Sequence, residues 1–224
     1  MDDATLFNTI RTRLFTAVIG DVMDAAGLVH QFLPPGIRAL DPATMLVGRA
    51  MPVQEADCTG DRLAATGLPE PFGLMLRALD SLRKGEVYIT TGASPRYALW
   101  GGLMSTRARA LGAAGAVLDG FHRDTREIAA LGFAVFSTGA YAQDQRLRGR
   151  VIDFGCPVTF GNGVRVDPGD IVVGDIDGVL VIPRVHEAAI IADALAKVAT
   201  EERVREMIGQ GRTTQSIFDE TGVM

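Results

Sequence analysis

The sequence predicts a mixed α/β sandwich, a sheet flanked by helices. Three observations predict it. From Glu86 to Phe136, short apolar runs alternate with helical stretches. After Gly149 the pattern changes to short strands joined by tight turns. A long helical segment then runs from Val185 to about Ile208. Alternation implies parallel strands with helical crossovers, and hairpins imply antiparallel pairing. A chain with both is not a purely parallel doubly wound sheet.

The elements follow in order. Residues 4–27 read as two short helices, the second near Val18 to Ala26 and ended by Gly27, a residue suited to a left-handed C-cap. Leu33-Pro34-Pro35-Gly36 is a loop, and Val47 to Val53 is apolar enough for a strand. Residues 56–72 carry Gly and Pro without a clear period, and 71–83 reads as a helix. Glu86-Val87-Tyr88-Ile89-Thr90-Thr91 is a strand by its β-branched and aromatic content. Gly101-Gly102 precedes a helix over 103–111. Residues 115–119 form a short buried strand, 120–123 its exit loop, 124–131 a helix stopped by Gly132, and 133–136 another strand. Further strands fall at 151–154, 158–160, 164–166, 171–173 and 179–182, with Asp177-Gly178 as a hairpin turn. No repeat, low-complexity tract or linker appears, so 1–224 reads as a single domain, long enough to bury a core without disulfides.

Composition excludes several functions. The net charge is −5, and no basic face is evident, which argues against a nucleic-acid partner. The nearest basic cluster, Arg146-Leu147-Arg148-Gly149-Arg150, reads as a solvated turn. Cys58 and Cys156 stand in no metal-ligand spacing, which favours a reducing, cytoplasmic setting and argues against cysteine-held zinc. Met1-Asp2-Asp3-Ala4 shows no signal-peptide pattern. No apolar run reaches the ~18 residues needed to span a bilayer, so no membrane partner is expected. There are 2 lysines, Lys84 in a turn and Lys197 on the last helix. Neither follows a strand end, as a Schiff-base lysine would, so an aldolase built on this chain would use a metal.

Three groups of residues carry chemistry. Gly101-Gly102 lets a ligand approach the backbone, and the amides of Leu103 and Met104 are free donors at a helix N-terminus, suited to a carboxylate or phosphate. A close helix–strand contact would use the same glycines. Asp119-Gly120-Phe121-His122-Arg123-Asp124 sits where a strand exits toward a helix. Arg123 offers a planar fork for a carboxylate, and Asp124 offers hard oxygens for Mg²⁺ or Mn²⁺. The structural alternatives are an Asp124 N-cap completed by Glu127, and an Arg123 pair with Asp119 or Asp144. The third group is on the last helix, where the apolar stripe Ile191, Leu195, Val198 continues to Glu202 and Arg205. That end reaches either solvent or another subunit. His30 and His186 carry no signal.

The succession Leu99-Trp100-Gly101-Gly102-Leu103-Met104, Gly112-Ala113-Ala114-Gly115-Ala116-Val117-Leu118-Asp119-Gly120 and Arg123-Asp124 resembles the core of one family. Pro168-Gly169-Asp170-Ile171-Val172-Val173 and Asp175-Ile176-Asp177-Gly178-Val179-Leu180-Val181-Ile182-Pro183 extend the match to about residues 15–185. The family is that of RraA-like proteins and 4-hydroxy-4-methyl-2-oxoglutarate/4-carboxy-4-hydroxy-2-oxoadipate aldolases. The resemblance implies a swivelling-domain-like core and homotrimers or homohexamers with sites between subunits. It implies Mg²⁺ or Mn²⁺ on Asp124, with Arg123 and the Leu103 and Met104 amides holding a pyruvate moiety. It implies a lyase acting on a small 2-oxo acid, a class II pyruvate aldolase or oxaloacetate decarboxylase. A glutamate from a neighbour's last helix completes such sites, here Glu202 first and Glu201 second. The sequence departs from the aldolases at Gly102, where they carry an acid, and at Phe121-His122. His122 is therefore a candidate for part of the proton transfer. Tyr141-Ala142-Gln143-Asp144-Gln145 has no aldolase counterpart and is a candidate pocket wall. The alternatives are a non-catalytic regulator that binds a protein partner, and a metal enzyme of altered reaction type, a hydratase or sugar-acid lyase.

Overall fold

The computed structural model describes residues 2–58 and 71–223. Its sheet is organised by one long strand, β2 (Leu46–Asp57). One edge of β2 runs parallel to β3 (Glu86–Thr91). The other edge is shared: its first half pairs antiparallel with β11 (Ile171–Asp175), its second half with β8 (Gly149–Phe154). A bulge between Gln54 and Glu55 marks the β8 pairing. Beyond β3 come the parallel strands β5 (Gly115–Leu118) and β7 (Val135–Ser137), then antiparallel β1 (Arg38–Ala39). Beyond β11 comes β12 (Gly178–Ile182), joined to it by the predicted Asp177-Gly178 turn.

The sheet is nearly closed. Residues 31–33 pair with the outer edge of β12, through Val181 N–H to the Gln31 carbonyl (3.0 Å) and Leu33 N–H to the Val179 carbonyl (2.9 Å). The same segment continues into β1 at the opposite edge, so the chain bridges the two ends. The hairpin of β9 (Val158–Thr159) and β10 (Arg165–Val166) lies apart as a separate small ladder.

Strand alternation sorts the core into three parts. Val87, Ile89, Val117, Val172, Val179 and Val181 point inward, with Phe136 and the hairpin's Val158, Phe160 and Val164. Ile171, Val173, Leu180 and Ile182 point outward beneath α1 (Asp3–Arg13), α2 (Thr16–Ala25) and α6 (Glu187–Gly209). Met51, Val53, Tyr88, Ala116 and Leu118 point outward beneath α3 (Met75–Ser81), α4 (Gly102–Ala110) and α5 (Thr125–Leu131). The α1–α2–α6 layer is held by ties across the chain. Arg49 of β2 bridges Asp3 and Glu187. Asp175 at the end of β11 caps α2, accepting from Thr16 N (2.7 Å) and Thr16 Oγ1 (2.7 Å).

Several boundaries differ from the sequence reading. The 71–83 helix shortens to α3 because Phe72 (φ 73) and Gly73 (φ 62) turn left-handed before it. The expected exit loop after β5 holds a short strand, β6 (Phe121–His122), which pairs parallel with β4 (Ala98–Trp100). Arg146 and Leu147 are exposed in a turn, as expected, but Gly149 and Arg150 belong to β8 and Arg150 is fully buried, so the basic cluster is a solvated turn only in its first part. A further helix, α7 (Thr214–Thr221), buries Ile217 after α6. Gly27 caps α2 with φ 81, as its position predicts. Most of the unassigned 56–72 stretch, residues 59–70, lies outside the described residues. Among those described, no helix is long and apolar enough to cross a membrane.

Candidate functional site

The site forms where β4 and β6, side by side, deliver their chain ends. β4 leads into Gly101-Gly102 and α4; β6 leads into Arg123-Asp124 and α5. Arg123 N–H bonds the Trp100 carbonyl (2.9 Å), which locks the two exits together. This small parallel pair, unseen in the sequence, is what brings the two predicted groups into one place.

Asp124 occupies the N-cap position of α5, but its backbone is left-handed (φ 58, ψ 36) and its side chain makes no cap bond. Its Oδ2 instead accepts the N–H of Gly102 at 3.0 Å. A left-handed aspartate costs on the order of 1 kcal/mol, and such strain gathers at functional positions. Here it turns the carboxylate from its own helix to the start of α4. The glycines make room. A Cβ on Gly101 would lie 2.7 Å from Asp124 Oδ2, and one on Gly102 would collide with the Glu127 carboxylate. Of the two expected capping partners, Asp124 bonds the neighbouring helix and Glu127 lies against its first residue. The Glu127 carboxylate occupies the space that a side chain at position 102 would take. The sequence signal for it was its spacing from Asp124, read there as a capping box.

Arg123 lies beside Asp124, Nε to Oδ2 being 3.8 Å, and its Nη1 pairs with Asp144 Oδ1 at 2.9 Å. Asp119, the other expected partner, accepts from Thr91 Oγ1 at 2.7 Å instead. Arg123, Asp124 and Asp144 are each partly exposed and line a cavity of about 240 Å³. Gly101, Leu103 and Met104 line it too, with Phe72, Met75, Leu76 and Leu79 as an apolar wall and Trp100 at its base. The Leu103 and Met104 N–H groups belong to the first turn of α4, which leaves them without intrahelical acceptors. Asp144 and Gln145, from the segment without a counterpart, form part of the wall.

His122 is placed differently from its expected role. Its ring is buried, with Nδ1 at 2.7 Å from Ser137 Oγ and Nε2 at 3.0 Å from Thr125 Oγ1. Burial lowers its pKa, which keeps it neutral, and it borders another cavity with Arg38 and Gly139. β6 alternation explains this: Arg123 faces the site, so His122 faces the other way. Glu202 also lies apart within one chain. It is exposed on α6, in the layer opposite the cavity, while Glu201 packs partly inward and pairs with Arg205.

Beneath the cavity lie further polar groups. Trp100 Nε1 donates to Ser105 Oγ at 2.7 Å, and its ring meets Tyr88 at 4.9 Å. Gln145 Nε2 donates to Glu55 Oε2 at 2.8 Å. Burial opposes ionisation of Asp57, but hydrogen bonds from Ser94, Arg96 and Tyr97 outweigh it and hold the carboxyl at about 2.

Asp124 and Glu127 offer hard oxygen donors that bracket the start of α4. Among the described residues, no group of three His, Cys, Asp or Glu side chains gathers as a closed metal cage. Mg²⁺ does not need one, since it keeps several waters and binds through one or two carboxylates. The residues present fit such an ion.

Comparison with known proteins identifies the family. The RraA-like family model, described as Aldolase/RraA, matches residues 16–181. A protein of Halalkalibacterium halodurans named "Putative 4-hydroxy-4-methyl-2-oxoglutarate aldolase" is 34% identical over 204 residues, covering 90% of this chain and 86% of that protein. The crystal structure of an uncharacterised Pseudomonas syringae protein superposes with a TM-score of 0.80 at 26% identity, covering 96% of each chain. Streptomyces coelicolor RraAS2, described as an unusual member of the RNase ES inhibitor RraA family, shares the fold with a TM-score of 0.79 at 24% identity, over 91% of this chain and 97% of that one. The chain belongs to the RraA-like family.

Proposed function

We propose that the chain is a divalent-metal-dependent carbon–carbon lyase for a small 2-oxo acid, a pyruvate aldolase or oxaloacetate decarboxylase. The observation that carries this reading is the convergence of Arg123 and Asp124 on the N-terminus of α4 at one cavity. The relative named as an aldolase supports it.

Asp124 and Glu127 would hold Mg²⁺ or Mn²⁺. The ion supplies Lewis-acid stabilisation of the negative charge that develops on the 2-oxo group. Arg123 would receive the substrate carboxylate on its planar fork, steadied from behind by Asp144. The Leu103 and Met104 amides, at the positive end of α4, would complete that grip. In oxaloacetate the C3–C4 bond breaks, carbon dioxide leaves, and the bonding pair passes toward the 2-oxo group. A proton then returns to C3 and gives pyruvate. Glu127, whose carboxylate lies beside Gly102, would orient the water that gives that proton; His122, whose ring is turned away, would not.

Self-association is part of the proposal. Leu76 and Leu103 line the cavity yet are 56% and 85% exposed, a surface suited to a second copy. A trimer or hexamer is also the arrangement by which the partner subunit's Glu202 could reach this site.

The test is pyruvate release from oxaloacetate by purified protein, with and without Mn²⁺ or Mg²⁺, beside Asp124→Ala. Metal-dependent release that the variant loses is expected. No release under any condition would move the assignment to a binding protein, the reading that likeness to RraAS2 favours.

A further inference from the structure

The outer face of the sheet beneath the cavity carries a buried carboxyl group that the proposed chemistry does not use. Glu55 on β2 is 1% exposed. Its Oε2 accepts from Gln145, and its Oε1 has no hydrogen-bond partner among the described residues. The Tyr88 hydroxyl and Thr90 Oγ1, on the adjacent β3 and the same face, are also buried without partners among the described residues. Tyr97, from the segment before β4, turns its hydroxyl to Asp57 at 2.9 Å. Arg150 on β8 is buried as well and has an interaction of its own. Among the described residues, the charge acting on Glu55 is the like charge of Asp57. A carboxyl group so enclosed holds its proton: burial pushes it up to about 8, the Gln145 bond pulls it down, and Asp57 adds to the rise.

Gln145 connects this group to the cavity. It is 3% exposed, lines the cavity wall, and follows Asp144, the partner of Arg123. Its carbonyl accepts from Arg148 N (2.7 Å) and Gly149 N (3.0 Å), so the whole corner turns on this residue.

We propose that Glu55 is a positioning residue: held neutral, its carboxyl group anchors Gln145, and with it the corner whose Asp144 aims Arg123; ionised, it keeps the Gln145 bond but leaves charge at the enclosed Oε1, which draws water into the cavity wall and loosens it. The consequence for turnover rests on the lyase reading; the consequence for the wall does not.

Trp100 is the single tryptophan and lies in the same wall, in ring contact with Tyr88. Its emission therefore reports on the wall without any substrate. A pH titration of the full chain, Glu55→Gln and Gln145→Leu is the experiment. The natural chain should show an emission change with a midpoint near pH 8, which Glu55→Gln lacks. Gln145→Leu should move the midpoint upward, because the lost bond favoured the ionised form. Oxaloacetate decarboxylation with Mn²⁺ is followed over the same range. The natural chain should lose kcat/KM about tenfold per pH unit above the midpoint, mainly through KM, as expected for one proton; Glu55→Gln should not. An emission transition without turnover sinks the lyase reading and leaves the Glu55 assignment standing. Turnover with the same pH profile and emission in the natural chain and Glu55→Gln overturns the Glu55 assignment alone, and absence of both signals overturns both. Should Glu55→Gln not fold, an unmoved midpoint in Gln145→Leu overturns the assignment.

Discussion

Two helical layers flank the sheet, and they are built differently. Under α1, α2 and α6 the buried contacts are aliphatic and aromatic: Phe7, Ile10, Ile19, Leu180, Ile182 and Ile190 among others. Under α3, α4 and α5 the core includes Tyr88, Tyr97 and Trp100, with Glu55 and Gln145 buried beside them. The first layer seals the sheet, and its polar ties lie at its margins, as Arg49 and Asp175 do. The second keeps a cavity open and places charge around it. Buried polar groups reduce stability unless satisfied. A fold that concentrates them on one face can keep its stability on the other. Stability and chemistry should then respond to different substitutions.

The largest effect is expected at the cavity. Asp124→Ala should lower metal-dependent kcat/KM by about a thousandfold, equivalent to ~4 kcal/mol. Its thermal unfolding midpoint should stay close to that of the natural chain, since a partly exposed side chain is removed. A large fall in that midpoint would break the division between the layers. Leu180→Ala in the sealed layer should do the opposite. It opens a void at a fully buried position and should cost about 3 kcal/mol in denaturant unfolding. The folded remainder should keep its KM.

Glu55 sharpens the contrast through pH. Its carboxyl group titrates at about 8 when folded, against 4.5 as the ordinary value. Between those pH values the folded chain holds a proton that the unfolded chain has released, so stability falls as pH rises. The loss begins near pH 4.5 and is complete above about 8, at no more than about 1.4 kcal/mol for each pH unit crossed. Glu55→Gln should remove this slope, which paired melting curves from pH 5 to 9 would show. The smallest effect is expected at the margin of the sealed layer. Asp175→Ala removes the cap of α2 and should cost about 1 kcal/mol, read from the urea midpoint, with turnover unaltered.

Much of this architecture is legible along the chain. Unbroken runs of β-branched and apolar residues mark β3, β11 and β12, because a strand buried on both faces needs such side chains at nearly every position. Gly27, Asp177-Gly178 and Gly101-Gly102 mark turns and caps by local backbone chemistry. Arg123 and Asp124 were legible as a pair because they are adjacent, and Gly102 as a departure because an acid was expected there. What tertiary structure decided was which side chains meet. The two-residue strand β6 has no pattern of its own and exists because β4 lies beside it. That pairing turns Arg123 to the cavity and His122 away. The space at position 102 is taken by Glu127 from another helix, and Asp144, a residue of an unplaced segment, is the one that grips Arg123. No motif or spacing marks Glu55; only closure of β8 and the Gln145 corner over it removes it from water. Local propensity is carried along the chain, whereas burial and charge pairing depend on segments distant in sequence, and no spacing rule encodes them.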